Sequence, residues 1–179
     1  VAALLGQPPK LNHGTGTLES MADVFSRVWD SLADPAAFHK TVLATGLRGW
    51  DTVCGEGNEP GTLSILMARP GMGKTATLVQ MSDLLSEAGQ VVAVFSKEMM
   101  SEQWYRRMAC RRARVNWFRF KRGDVPQDQH RIILDWADHF SKLKNLRLDG
   151  ATPQTTQQVS IECERFRDRA GGLGFILVD

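Results

Sequence analysis

Ala68-Arg69-Pro70-Gly71-Met72-Gly73-Lys74-Thr75 is the stretch on which the reading of this chain turns. An apolar run, Leu63-Ser64-Ile65-Leu66-Met67, precedes it, and a helical pattern from Lys74 to Ala88 follows. A strand, a loop closing on Gly-Lys-Thr and then a helix is the arrangement that grips nucleotide phosphates. Gly71 and Gly73 permit the dihedrals that turn successive backbone N–H groups inward as an anion nest. The head of the helix adds partial positive charge, so Ala68 through Ala76 form the expected phosphate-binding segment. Lys74 is expected to reach the β- and γ-phosphates of ATP, and the Thr75 hydroxyl to ligate Mg²⁺. The strict pattern opens on Gly, where this chain has Ala68. The alternative is a plain strand–helix turn with a surface lysine, which leaves the two glycines beside Met72 unexplained.

Composition sets the bounds. The chain has 179 residues, 42% hydrophobic and 23% charged, with a net charge of +2. That is enough chain for one domain with a real core, and its total charge says little about nucleic acid. Cys54, Cys110 and Cys163 are widely spaced without a Cys-x-x-Cys pair, which argues against a disulfide scaffold or a zinc site. No run approaches the roughly 18 apolar residues that span a bilayer, so a cytoplasmic protein without membrane contact is expected. The sequence opens on Val1 and closes on Asp179 in mid-pattern, which reads as an internal piece of something longer.

Outward from the loop, residues 1–16 lack periodicity and read as a linker. An amphipathic helix is expected from Leu18 to Leu32 with Thr17 as N-cap, within a segment 17–34. Leu18, Met21, Phe25, Val28, Trp29 and Leu32 form its apolar stripe, which either folds back on its own domain or docks on a neighbour. Residues 41–179 are expected to form the main domain, with 45–61 rich in turns. Strands are expected at 62–68, 91–96, 145–148 and 174–179. Helices are expected at 74–88, from a Ser101 cap to Arg112, within 115–123, at 127–143 and from Pro153 to Ala170. Gly89 is placed to stop the first of these helices. In the helix 127–143, Ile132, Ile133, Trp136, Phe140 and Leu143 are expected to face inward. Strands alternating with helices imply an α/β fold, a mostly parallel sheet covered on both faces.

In such sheets ligands sit beyond the carboxyl ends of the strands. Asp179 follows four apolar residues, the pattern of a Walker B strand whose carboxylate supports Mg²⁺; a simple capping role is the alternative. Glu98 stands two residues beyond the second strand, where a carboxylate can orient or deprotonate attacking water, or simply pair with Lys97. Between 106 and 122 lie Arg106, Arg107, Arg111, Arg112, Arg114, Arg119, Lys121 and Arg122, interleaved with Trp117, Phe118 and Phe120. Phosphate-backbone or subunit contact is one reading of this stretch. The other is a solvated helix face with its aromatics in the core and its long side chains laid along them.

Four segments carry a family resemblance. Ala68 to Thr75 resembles the phosphate loop of DnaB-type replicative helicases, in which the opening alanine is usual. Phe95-Ser96-Lys97-Glu98-Met99 is similar to the segment bearing that family's catalytic glutamate. Thr45-Gly46-Leu47-Arg48-Gly49-Trp50-Asp51 resembles the entry to its ATPase core, and Gly171-Gly172-Leu173-Gly174-Phe175-Ile176-Leu177-Val178-Asp179 its Walker B strand. The resemblance implies a RecA-like P-loop NTPase core, cut after the Walker B strand, in which Lys74 and Thr75 bind phosphate and Mg²⁺. It further implies that Glu98 activates water and that Asp179 supports the metal. It also implies a hexamer translocating on single-stranded DNA, with residues 18–32 packing on the adjacent subunit, and primase and loader contacts through parts outside this chain.

Two features depart from the pattern. Lys97 stands where the family often has an apolar residue, and the family's sensor, DNA-contacting loops and arginine finger follow its Walker B strand. The isolated chain is therefore expected to be inactive. The competing readings are a recombinase- or clock-type RecA-like ATPase, and a nucleotide-binding or assembly module without turnover.

Overall fold

The computed structural model describes residues 20–34, 36, 42–150 and 155–179. They fall into two compact units, Val1–Ser64 and Ile65–Asp179.

In the first unit, α1 spans Met21–Ala33. Its cap is Ser20, whose hydroxyl accepts from the Asp23 amide at 3.2 Å and donates to the Asp23 carboxylate at 2.6 Å. The helix therefore begins later than expected: Ser20 and Asp23 satisfy each other across the first turn, as a capping pair does. Thr17 and Leu18, with the rest of the expected linker 1–16, lie outside the described residues. The short helix α2, Arg48–Val53, is the helical segment in the turn-rich region. It is tied down by Asp51, which accepts from the Thr45 amide at 2.8 Å, the Thr45 hydroxyl at 2.7 Å and the Gly46 amide at 2.9 Å.

The second unit contains α3 (Lys74–Glu87), β1 (Val92–Ser96), α4 (Ser101–Arg112), α5 (Trp117–Lys121), α6 (Gln127–Ser141), β2 (Leu146–Gly150), α7 (Thr156–Ala170) and β3 (Phe175–Val178). The three strands form one parallel sheet in the order β2-β1-β3. Val92 stands opposite Leu146 on one side and Phe175 on the other. β1 is thus central, and all five of its residues are buried, as a fully covered parallel strand requires. Ala93 and Phe95 pack on Cys163, Val159 and Phe166 of α7. Val94 and Ser96 face the other way, toward Trp104 of α4. Gly89 ends α3 as expected, at φ 81°, with its amide on Ser86 and the Gln90 amide on Leu85.

Four expectations are corrected. Residues 62–68 are not a strand: they pair with neither edge of the sheet among the described residues, and Leu63, Ile65 and Met67 are exposed. Alternating apolar residues form a strand only where a neighbouring ladder takes up their backbone groups, and both sides of β1 are already occupied by β2 and β3. Ser101 is the first residue of α4 rather than its cap; Met100 holds the cap position, without a side-chain hydrogen bond. α7 starts behind Thr155, which makes a reciprocal capping box with Gln158, and this places the helix start beyond Pro153. Ile132 is 42% exposed, whereas Ile133 and Phe140 are buried, so the inward stripe of α6 runs one residue to the side of the expected one.

Candidate nucleotide site

Gly71 and Gly73 have φ of 79° and 95°, the left-handed region that glycine enters without strain. A Cβ at either would meet nothing within 4 Å, so the loop needs glycine there for its dihedrals and not for space. Gly73 is the N-cap of α3. The amides of Lys74, Thr75 and Ala76 head that helix, where N–H groups lack intrahelical acceptors and the helix dipole is positive. Lys74 lays its ammonium across the loop, donating to the Ala68 carbonyl at 3.0 Å. Ala68, Arg69, Pro70, Gly71 and Met72 are exposed, so the loop is open to a ligand.

The three elements converge at the carboxyl edge of the sheet. The Thr75 hydroxyl, in the first turn of α3, donates to Asp179 Oδ1 at 3.0 Å across 104 residues of chain. Asp179 follows β3 directly and is locked to β1, its amide donating to Phe95 at 3.0 Å and its carbonyl accepting from Lys97 at 2.9 Å. The structure thus brings Thr75 and Asp179 together as the sequence suggested. Glu98 is exposed in the turn just after β1, on the same edge; no hydrogen bond joins it to Lys74, Thr75 or Asp179 among the described residues. Ser96, absent from the candidate residues drawn from the sequence, lies between these groups with 3% exposure.

The neighbouring hydroxyl and carboxylate of Thr75 and Asp179 are hard oxygen donors, the kind Mg²⁺ takes. A cluster of three or more acidic, His or Cys ligands does not occur among the described residues. That fits Mg²⁺, which keeps several waters and binds through one or two carboxylates plus substrate phosphates.

The basic stretch resolves differently from either expectation. Arg111 and Arg112 turn inward onto the fully buried Asp83 of α3, Arg112 through Nε at 2.8 Å. Arg112 also stacks on Trp136, 4.8 Å from the ring centre, and Arg107 lies over Trp117. Arg119 pairs with Asp124, while Arg114, Lys121 and Arg122 are exposed. A sequence scan finds no acid inside the stretch; the partner, Asp83, lies 28 residues upstream of Arg111.

A glycine-turned loop at the head of a helix, beside a carboxylate at the end of a parallel strand, defines the class: an α/β core of the RecA-like P-loop type. Residues 42–179 match the DnaB-like helicase C-terminal domain, and the chain belongs to that family. It is 32% identical over 141 residues to the replicative DNA helicase DnaB of Haemophilus influenzae, covering 78% of this chain and 30% of that protein. It is 25% identical over 169 residues to DnaB of Buchnera aphidicola subsp. Baizongia pistaciae, covering 94% of this chain and 36% of that one. The chain thus spans about a third of the length of these curated relatives. Among solved structures, an isolated ATPase domain superposes with a TM-score of 0.74 at 18% identity, over 91% of this chain and 57% of that one. A DnaB-like replicative helicase studied with its primase interactions gives 0.74 at 18%, over 93% and 40%. At that identity the likeness is one of fold.

Proposed function

We propose that this chain is the nucleotide-gripping part of an ATP-dependent replicative DNA helicase, a hexamer that moves along single-stranded DNA. The observation that carries the reading is the Thr75–Asp179 hydrogen bond. It joins the phosphate loop to the last strand at the sheet edge where an α/β core binds ligands.

In this reading the amides at the head of α3 and Lys74 hold the β- and γ-phosphates of ATP. Thr75 and Asp179 would hold Mg²⁺, which when bound offsets phosphate charge. Glu98, exposed beyond β1, orients the attacking water and accepts its proton. Arg69, Pro70 and Met72 shape the outer wall of the loop, and Ala76 leaves the helix head open. The arginine that completes the site comes from a neighbouring subunit. Primase and a loader engage parts outside this chain, in the cytoplasm at the nucleoid. Among the described residues no helix is long and apolar enough to cross a membrane.

The test is Lys74→Ala in the full-length protein. ATPase and unwinding should fall by at least about a hundredfold, since the lysine's charge acts on the transferring phosphoryl group, while the oligomer persists on size analysis. Near-normal unwinding by this variant would overturn the reading.

A further inference from the structure

Ser96 is the one polar side chain of β1, the central strand, and it is buried at that strand's carboxyl end. Its hydroxyl makes two contacts at once. It donates to Asp179 Oδ2 at 3.4 Å, and it accepts from the Met99 amide at 3.0 Å. A hydroxyl has one proton to give and lone pairs to receive, so the two bonds do not compete. The first reaches across 83 residues to the end of β3; the second closes the turn Lys97-Glu98-Met99, with Met99 buried as its anchor. On its other oxygen the Asp179 carboxylate takes the Thr75 hydroxyl, so that it is gripped from both sides.

We propose that Ser96 is a positioning residue that sets Asp179 and the Glu98 turn relative to each other. This rests on the roles assigned above to those two carboxylates. Without the hydroxyl, Asp179 loses its second donor, and the Met99 amide is left without a partner in a buried turn. Both carboxylates then drift, while the phosphate loop, held by α3 and its glycines, stays as it was. Ser96 therefore acts on turnover rather than on nucleotide affinity.

Three readouts on the full-length protein test this. The first is amide hydrogen exchange at Met99 without nucleotide, which needs no activity. Ser96→Ala should speed it by about tenfold, the worth of one hydrogen bond. The second is steady-state ATPase, where kcat should fall about tenfold or more with ATP affinity within about twofold. The third is Mg²⁺ titration, in which the half-maximal concentration should rise. Ser96→Thr keeps the hydroxyl and should restore all three toward the parent protein. If Ser96→Ala does not fold, Ser96→Cys, similar in size but a weak donor and acceptor, takes its place with the same expectations.

Unchanged kcat and Mg²⁺ dependence in Ser96→Ala would overturn the proposal. So would a Ser96→Thr variant as impaired as Ser96→Ala, because space and not the hydroxyl would then be in control. A parent protein without ATPase activity would instead overturn the proposed function, and Met99 exchange would still decide for or against Ser96 as the holder of the turn.

Discussion

A Cβ on Gly150 would lie 2.8 Å from the Met100 carbonyl carbon and against the amide of Ser101. The last residue of β2 thus lets the start of α4 pass directly over it, and backbone cannot yield as a flexible side chain does. Gly150→Ala should therefore cost about 1–3 kcal/mol, the range for overpacking a tight site, read as a lower urea midpoint. The thiols differ in a comparable way. Cys54 is exposed, whereas Cys110 and Cys163 are buried. Burial pushes both buried thiols up from the ordinary value of 9.0, and Glu162 and Glu164 add to the effect at Cys163. A raised pKa means less thiolate at any given pH, so alkylation at pH 8 should modify Cys54 first and the other two only in denaturant. The linkage has a definite sign: above pH 9 the unfolded thiols release protons that the folded ones keep, so stability falls as pH rises through that range. Peptide mapping and urea melts between pH 8 and 10 check both statements.

Between elements, the joint with most at stake is the one from α3 to α4. Asp83 is fully buried with Arg111 and Arg112, whose side chains are 30% and 22% exposed. Removing one partner of a buried ion pair leaves the other charge uncompensated, so Asp83→Ala should lower unfolding free energy by about 3–5 kcal/mol. Replacing all three by apolar residues of like size should recover much of that loss; a single variant with no effect in denaturant melts would show the pair to be dispensable. This joint also marks the limit of what pattern reveals. Loop, α3, β1 and β3 were legible because their signals are local: glycines at fixed offsets, a helix period, apolar runs ending in a carboxylate. The inward turn of Arg111 and Arg112 was not, since nothing near them names a partner one helix away. The segment 62–68 failed for a related reason, because its alternation describes a face, while pairing depends on which strand edges are free. Ser96 went unmarked because a serine after an apolar run carries no signal until the ends of β1 and β3 are set side by side.

At the scale of the whole molecule, α1 presents an apolar stripe to solvent. Met21, Phe25, Val28, Trp29 and Leu32 are 79%, 52%, 39%, 54% and 64% exposed, and the Phe25 and Trp29 rings meet at 5.1 Å between centres. A stripe of this kind, with two aromatics in contact, has the make-up of an interface hot spot and is costly to leave in water. In the proposed hexamer its place is on a neighbouring subunit. Changing Phe25 and Trp29 together to Ser in the full-length protein should raise the concentration for half-assembly by at least about tenfold, as loss of a hot-spot pair worth about 2 kcal/mol or more implies. Sedimentation velocity reads that change. The melting temperature of the ATPase core, measured with its subunits dissociated, should move little, because Ile65–Asp179 forms a compact unit apart from α1. The opposite pattern, intact oligomers with a lowered melting temperature, would mean that the stripe is covered within its own chain. A single pair of substitutions thus separates a helix that joins subunits from one that completes its own fold.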